Sequence, residues 1–203
     1  MKDKKPKTRW LLVIGIVLLF PVWWWVPKLM SLFSPTVPAL SSGPKVAKGQ
    51  RHFEPEGGFS FIPPDGWEMR SIPQSKFKVA IGPPAGGFTP NILLFKELWP
   101  GSLDDYINAA SESWAQKKAN LVKREDFKTA EGLKGRRLVF ENRGDDPVRR
   151  QTMYVFDKGE TKYGVMCTTV AEGADKLDPV FEDCIQTFRF DGPEKIIPGS
   201  PDK

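Results

Sequence analysis

GFSFIPPDGW, residues 58–67, sets the architecture of everything that follows it in this chain of 203 residues. An apolar run from Phe59 to Ile62 is stopped by two prolines and an Asp-Gly pair, and a second run begins at Trp67. Proline fixes φ and glycine admits the positive φ that tight turns require, so the middle of this stretch favours a turn. It therefore predicts a strand, a turn and a second strand at the start of a folded domain.

Downstream, two more β-like runs occupy residues 77–81 and 91–98, and each is closed by Pro and Gly. A helix is predicted next, with Ser102 as its N-cap and Asp104 and Asp105 in its first turn, where carboxylates are favourable. Its apolar residues recur at helical spacing. They are Leu103, Tyr106, Ile107, Ala110 and Trp114.

Four strand-like segments then follow in meander order, separated by short turns of Gly, Asp and Pro. They are residues 121–129, 133–142, 148–157 and 161–170. A final helix is predicted to begin with Asp178 as its N-cap and Pro179 at its first helical position, and its apolar stripe faces the sheet. Strands and two helices without β-α-β alternation predict an α+β domain on a mostly antiparallel sheet.

Upstream, residues 10–26 read WLLVIGIVLLFPVWWWV and carry no charge, while residues 1–9 carry five Lys or Arg. The run is about 25 Å long as a helix, and residues 29–33 extend it toward the roughly 30 Å of a bilayer core. The basic head and the tryptophans place the N-terminus in the cytoplasm. We predict a single-pass anchor in the cell inner or plasma membrane, with the C-terminal domain extracytoplasmic.

A cleaved signal peptide is the alternative, because it shares the basic start and the apolar middle. Its cleavage site would be at residues 37–39, Val-Pro-Ala, more than ten residues beyond Trp25. The apolar run is also longer than the usual signal-peptide core of about 7 to 15 residues. We favour retention of the anchor, whereas cleavage would release the domain as a soluble secreted protein.

The predicted organisation has five parts. They are a basic cytoplasmic head (1–9), the transmembrane anchor (10–33), a flexible linker (34–57), a globular domain (58–191) and a loose tail (192–203). The linker is rich in Pro, Ser, Gly and Lys.

Residues 57–191 carry nineteen Lys or Arg against twenty Asp or Glu, so the net charge of +5 belongs to the anchor and linker. Anionic lipid explains the basic head, and nucleic-acid binding is disfavoured.

The opening GFSFIPPDGW, a helix that starts Ser-Leu-Asp-Asp-Tyr, Gly135 ahead of residues 136–140, and a closing helix that ends IQTF at residues 185–188 form a recognisable set. Over about residues 57–191 the chain resembles the PsbP-like family. That family includes the PsbP extrinsic subunit of photosystem II, the bacterial DcrB-type domains and, more distantly, the Ran-binding Mog proteins. The resemblance implies an αβα sandwich around an antiparallel sheet and a role in binding or assembly without catalysis. An uncleaved membrane helix is unlike the soluble lumenal PsbP.

Catalytic signals are weak. The single histidine, His52, falls in the predicted linker, where no partner group holds it. No nucleophile elbow, Walker loop or metal-spaced Cys/His set is present, so no catalytic, cofactor or metal residue is predicted. Glu141, Asp145 and Asp146 lie where a hard cation could gather them, but a solvated turn is favoured because no EF-hand-like spacing appears.

Four arginines on consecutive predicted strands are a candidate binding patch, because alternate residues of neighbouring strands share a face. They are Arg136, Arg137, Arg149 and Arg150. Such a patch suits acidic partners or lipid head groups. The alternative, which we favour, is that they pair across the strands with carboxylates on a solvated face. The carboxylates in question are Glu141, Glu125 and Asp126.

Two further pairs of residues are candidates. Phe88 and Trp99 adjoin predicted loops; we expect them to fill the core, and the alternative is that they line the rim of an apolar pocket or docking site. Cys167 and Cys184 are the only cysteines and lie in the exported domain, where oxidising conditions permit a disulfide between the last strand and the last helix. Two buried free thiols are the alternative, and the sequence pattern does not decide between them.

The sequence therefore favours an anchored interaction module that docks on, or helps to assemble, another envelope protein. A carrier of a small apolar or lipid ligand is the alternative, and it requires an internal cavity lined by aromatic residues. An enzyme would require convergent buried carboxylates.

Overall fold

The computed structural model describes residues 49–85 and 87–191. The predicted head, the anchor and the tail lie outside the described residues, as does most of the linker. Among the helices of the described residues, none combines the length and the apolar character needed to cross a bilayer.

The described part of the chain forms ten strands and two helices. In chain order they are β1 (His52–Glu54), β2 (Phe59–Phe61), β3 (Glu68–Arg70), β4 (Val79–Ile81), β5 (Asn91–Leu98), α1 (Leu103–Gln116), β6 (Ala119–Lys128), β7 (Lys134–Asn142), β8 (Arg149–Lys158), β9 (Thr161–Val170), α2 (Ala174–Gln186) and β10 (Arg189–Phe190). The strand–turn–strand opening, the helix after the strand at residues 91–98 and the four-strand meander are confirmed.

The strands form two sheets. The large sheet has the order β3-β4-β5-β9-β8-β7-β6, and the small sheet has the order β1-β2-β10. Every pairing between these strands is antiparallel. The predicted α+β class on an antiparallel sheet is confirmed.

Helix α1 begins at the predicted residue. The Asp105 backbone N–H donates to Ser102 Oγ at 3.1 Å, and the Ser102 backbone N–H donates to the Asp105 carboxylate at 3.2 Å. This reciprocal capping box satisfies donors that a helix start otherwise leaves unpaired. The buried side of the helix packs Ile107 and Trp114 in one core cluster with Leu138 of β7. Helix α1 therefore covers one face of the large sheet, called here the α1 face.

Helix α2 begins one turn earlier than predicted. It starts at Ala174 after Gly173, whose φ is +77°, and Pro179 lies inside the helix. The prediction that Asp178 caps this helix with Pro179 at its first position is wrong. An Asp-Pro pair is typical of a helix start, but here Ala174 is fully buried and glycine supplies the left-handed turn. Asp178 binds Arg150 at 3.1 Å instead of capping.

Helix α2 and the small sheet together cover the opposite face of the large sheet, called here the α2 face. Its core contains a chain of aromatic rings. Phe156 stacks on Phe188 with ring centroids 4.8 Å apart, Phe188 contacts Phe59 at 5.5 Å, and Phe59 contacts Tyr163 at 6.1 Å. Strand β2 supplies Phe59, so the small sheet closes the part of this face that α2 leaves uncovered. The large sheet thus has one helix on each face.

The fold also begins earlier than predicted. β1 pairs with β2, His52 opposite Phe61, and the Arg51 guanidinium donates to the Thr187 carbonyl at 2.8 Å. The prediction of a flexible linker as far as residue 57 is wrong at its C-terminal end, because the backbone of β1 has ladder partners. β10 pairs with the other edge of β2, so the first and last strands of the fold flank the same strand.

Candidate functional site

The arginine set, Arg136, Arg137, Arg149 and Arg150, is divided between the two faces of the large sheet. Consecutive residues of a strand point to opposite faces. Leu138 of β7 and Met153 of β8 belong to the α1 face, and Tyr154 belongs to the α2 face. Arg136 and Arg149 therefore lie on the α1 face, while Arg137 and Arg150 lie on the α2 face.

On the α2 face, Arg150 joins the sheet to the first turns of α2. Its guanidinium binds Glu141 of the neighbouring strand at 3.0 Å, and Asp175 and Asp178 of the helix at 3.1 Å each. A planar guanidinium with five donors suits several carboxylates at once. This arginine therefore stabilises the contact between α2 and the sheet.

Arg137 is also committed to neighbours on the α2 face. It binds Glu125 of β6 at 2.7 Å, and its guanidinium carbon lies 5.8 Å from the centre of the Tyr154 ring. Glu125 also accepts a bond from Lys123 at 2.7 Å. Hydrogen bonds from Lys123 and Arg137 lower the pKa of Glu125, against the opposing effect of desolvation. Glu125 is therefore held as a carboxylate between two cations.

The two arginines of the α1 face are paired as well. Arg136 binds Asp126 at 2.8 Å and Asp104 of α1 at 3.3 Å, and Arg149 binds Asp145 at 2.6 Å. The arginine set thus forms ion pairs instead of a free positive patch, and the favoured carboxylate partners are among those observed.

The predicted solvated turn and its flanks contain three carboxylates that were considered for a hard cation. Two of them, Glu141 and Asp145, are bound by Arg150 and Arg149. Across residues 49–85 and 87–191, no group of three or more His, Cys, Asp or Glu is arranged to hold a metal ion.

The lysine rim, defined as Lys76, Lys78, Lys96 and Lys158, differs from the arginine set. None of these lysines forms a salt bridge with any residue of the described ranges. The ammonium groups of Lys76 and Lys96 each lie 5.9 Å from the centre of the Phe77 ring, and that of Lys158 lies 4.9 Å from the Phe190 ring. The rim therefore surrounds the edge of the aromatic core beside the small sheet.

Exposed apolar side chains are present on β5, two residues beyond Lys96, and on β1, next to His52. Leu98 is 68% exposed and Phe53 is 56% exposed. Leu98 of β5 pairs with Thr161 of β9, which pairs with Lys158 of β8, so Leu98 and Lys158 lie two strands apart, about 10 Å. By the alternation within each strand, both point to the α2 face. The surface of the rim thus combines positive charge with exposed hydrophobic groups.

The sequence analysis missed the lysine rim. The only local signal is Lys76 and Lys78 on either side of Phe77. Lys96 and Lys158 are sixty-two positions apart and come together through the register of β5, β9 and β8. Sequence adjacency could not reveal that neighbourhood.

Phe88 and Trp99, the candidates for a pocket rim, do not meet. Phe88 precedes β5 and Trp99 follows it, so the length of that strand, about 25 Å, separates them. Phe88 is buried, and the Trp99 ring packs on Tyr106 at 5.5 Å. Both side chains contribute to local packing at opposite ends of the sheet, which agrees with the expected core filling and not with the alternative of one shared pocket rim.

Cys167 and Cys184 are buried in the same core cluster, on β9 and α2 respectively, and both are free thiols in the structure. Burial raises the pKa of Cys167, and the neighbouring Cys184 adds to that increase. Burial also raises the pKa of Cys184. The structure therefore describes the reduced form, and oxidation to a disulfide in an exported domain stays a prediction.

His52 is held in place, contrary to the prediction. Its ring contacts Phe61 at 5.6 Å, and its Nε2 lies 3.6 Å from the Glu54 carboxylate. Burial lowers the pKa of His52, Glu54 opposes that shift, and Lys78 adds to it. The neutral imidazole packs against an aromatic ring, which is a structural role.

Two clefts lie on either side of Arg150, which binds Glu141 of one and Asp175 and Asp178 of the other. The acidic cleft, of about 350 Å³, runs along α2 and is lined by Asp175, Asp178, Pro179, Glu182, Asp183 and Gln186. The distal cleft, of about 790 Å³, is lined by Glu141, Arg143, Asp146, Pro147, Val148, Val170, Ala171 and Glu172. The distal cleft lies where β8 begins and β9 ends, and the lysine rim lies where β8 ends. Neither cleft is lined by the aromatic residues that a carrier of an apolar ligand requires.

No protein-family model matches the chain, and no curated protein gives a significant match. Solved structures do match. The solution structure of cyanobacterial PsbP (CyanoP) from Synechocystis is 15% identical, with a TM-score of 0.53 over 75% of this chain and 98% of that chain. The described domain has a PsbP-like fold.

A second similar structure is LpqN, described as involved in cell envelope biogenesis of Mycobacterium tuberculosis. It is 10% identical, and the match covers 73% of this chain and 90% of that chain with a TM-score of 0.53. At these identities the likeness concerns the fold. The PsbP-like fold that the sequence motifs indicated is therefore confirmed by structures that share little of the sequence.

Proposed function

We propose that the chain is a membrane-anchored, extracytoplasmic PsbP-like module that binds another envelope protein and has no catalytic activity of its own. The observation that carries this proposal is the PsbP-like fold, shared with a protein involved in cell envelope biogenesis. The charge-free run at residues 10–26, behind a basic head, supports the anchor.

The state of the reactive side chains supports a binding role. His52 packs on Phe61, and the cysteine thiols are buried with raised pKa values, which disfavours the nucleophilic thiolate. Three carboxylates on α2 and β7, those of Asp175, Asp178 and Glu141, share Arg150. These groups stabilise the domain, and their contacts leave them poorly suited to proton transfer.

The distal cleft is the surface that we assign to the protein partner. It combines both signs of charge with the apolar side chains of Val148 and Val170, a mixture suited to a protein surface. β8 is ten residues long, so the cleft is about 30 Å from the end of that strand beside the small sheet. The chain enters the fold through the small sheet, so an anchored domain would present the cleft away from the bilayer.

Site-specific photocrosslinking in cells tests this assignment. A photoreactive amino acid at Glu172, exposed on the rim of the distal cleft, should give an adduct with one discrete envelope protein. The matched position Glu112, exposed on α1, should give none. Equal adducts from both positions, or none from Glu172, would contradict the cleft as the partner site.

Protease treatment of intact spheroplasts tests the topology separately. The domain should be removed while the anchor remains in the membrane fraction. Full protection of residues 57–203, or a mature chain that begins near Leu40, would show that the anchored, extracytoplasmic arrangement is wrong.

A further inference from the structure

We propose that the lysine rim, together with Leu98 and Phe53, is a docking face for the anionic head groups of the membrane that carries the chain. The inference rests on the proposed function, because the anchor keeps the domain beside that membrane. It adds an orientation: the rim faces the bilayer and the distal cleft faces outward.

The first support is the distribution of charge. The domain carries almost equal numbers of basic and acidic residues, yet it is electrically polar. The arginine set is neutralised by carboxylates, including Asp175 and Asp178 of the acidic cleft, and Glu182 and Asp183 of that cleft add negative charge along α2.

The lysine rim has no salt bridge to the residues of the described ranges, although two exposed acidic residues lie beside it. Lys96 donates to the backbone carbonyl of Glu56 at 2.7 Å, and Glu160 follows Lys158 by two residues. An anionic surface therefore attracts the rim and repels α2.

The second support is the point where the chain enters the fold. β1 starts at His52, which lies close enough to Lys78 for their charges to interact. Fifteen residues (34–48) separate the predicted anchor from the first described residue, and a flexible linker of that length, as the sequence predicts, would span about 20 Å. The linker therefore delivers the small sheet and the lysine rim to within reach of the head groups.

The third support is the pairing of charge with exposed apolar groups. Leu98 lies about 10 Å from Lys158 on the same face, and Phe53 projects from β1. Leucine and phenylalanine enter the boundary between head groups and acyl chains, while lysines beside them keep their ammonium groups among the phosphates. A single carboxylate on a protein would contact one of these spread lysines, whereas a lipid surface contacts all of them.

The test uses the full chain in nanodiscs made either of phosphatidylcholine or of phosphatidylcholine with phosphatidylglycerol. Leu98→Cys carries an environment-sensitive fluorophore, and brominated lipids serve as the quencher. Cys167 and Cys184 are buried and stay unlabelled in the folded protein. Quenching is expected in the discs with phosphatidylglycerol, is weak in phosphatidylcholine alone, and falls as salt is added.

Charge reversal supplies the matched comparison. Each lysine at an anionic surface changes the docked-to-free ratio about fivefold, so Lys78→Glu with Lys158→Glu should lower it at least about 25-fold. The control reverses Lys128 and Lys134, which are exposed on the α1 face, and should leave quenching unchanged. Equal quenching in both lipids, or equal loss in both double variants, would overturn the docking face.

If the predicted anchor does not hold the chain in the membrane, the experiment gives a result that differs from failure of the docking face. A chain that is not retained in the discs contradicts the proposed function. Sedimentation of the same chain with vesicles of the two compositions then decides the docking face alone. Binding to the anionic vesicles that the Lys78 and Lys158 reversals weaken supports it, and no binding overturns it.

Discussion

The arginine set and the lysine rim are both groups of four cations in a nearly neutral domain, but their surroundings differ. Each arginine binds a carboxylate of a neighbouring strand, helix or turn, and Arg150 binds three. The lysines lie at strand ends and in a loop, against aromatic rings. Guanidinium groups fixed by carboxylates belong to the architecture of the fold, whereas ammonium groups on rings remain available to a partner.

Lys162 gives the sharpest test of this difference, because it is a lysine that behaves as the arginines do. It is 1% exposed and donates to Asp157 and to the carbonyls of Trp99 and Gly159, at 3.0 to 3.1 Å. Lys162→Met should destabilise the fold by about 3 kcal/mol, since buried acceptors lose their donor. Lys158→Met should change stability by less than about 0.5 kcal/mol. Urea unfolding in detergent measures both, and equal losses would erase the distinction.

Arg150 carries the next largest expected effect. Arg150→Met leaves Glu141, Asp175 and Asp178 close together without their shared cation. A loss of about 1 to 2 kcal/mol is expected, allowing for partial solvent screening, along with faster amide exchange in α2. Arg143 is the control, because it is 70% exposed and reaches Glu141 at only 3.6 Å. If Arg143→Met costs as much as Arg150→Met, the joint between helix and sheet is not held by this ion pair.

How far these surroundings could be predicted depends on the distance along the chain. The strands at residues 91–98 and 161–170 match their predicted bounds, because turn residues flank each of them. The sequence places β1 in the linker because β1 has no apolar period of its own, and its order comes from pairing with β2 and from the contacts of His52 and Arg51 with distant residues. The start of α2 was misplaced because its Asp-Pro pair imitates a cap, while the burial of Ala174 decides where the helix begins.

The residues of the candidate site were also predictable only where they are close together in the sequence. The ion pairs between arginines and carboxylates on adjacent strands were predicted correctly, because the strands of a hairpin are close in sequence. Lys96 and Lys158 become neighbours through a strand that follows both of them in the chain, and no local pattern encodes that event. Phe88 and Trp99 were grouped because both adjoin loops, but the loops lie at opposite ends of β5.

His52, beside the lysine rim, should give a smaller, pH-dependent effect. Its pKa is lowered in the folded state, chiefly by burial, so below about pH 6.5 the unfolded chain binds the proton more readily. Its contribution to stability is therefore complete above that pH and is lost as the pH falls. His52→Phe keeps the ring contact with Phe61 and should flatten this part of the pH profile of urea midpoints. An unchanged slope in the variant would assign the acid loss to other groups.

The smallest effect is expected for the exposed lysines themselves. Lys76→Met combined with Lys78→Met should leave the free energy of unfolding within about 0.5 kcal/mol of the parent chain, because neither residue forms an ion pair with a residue of the described ranges. A loss similar to that of Arg150→Met would mean that the lysine rim is part of the structural framework. The proposed difference between the arginine set and the lysine rim would then be wrong.

The arrangement of the small sheet determines how the domain would respond to a pulling force on its two ends. The chain enters β1 opposite Phe61 and leaves β10 opposite Phe59, so tension between the two ends pulls the outer strands in opposite directions along β2. The ladder bonds are then strained together in shear, but β1 and β10 have only three and two residues. These short strands would yield first, while the ten-residue ladder of β8 and β9 at the centre of the large sheet stays intact. A stretched chain would lengthen at its two ends and keep its core folded.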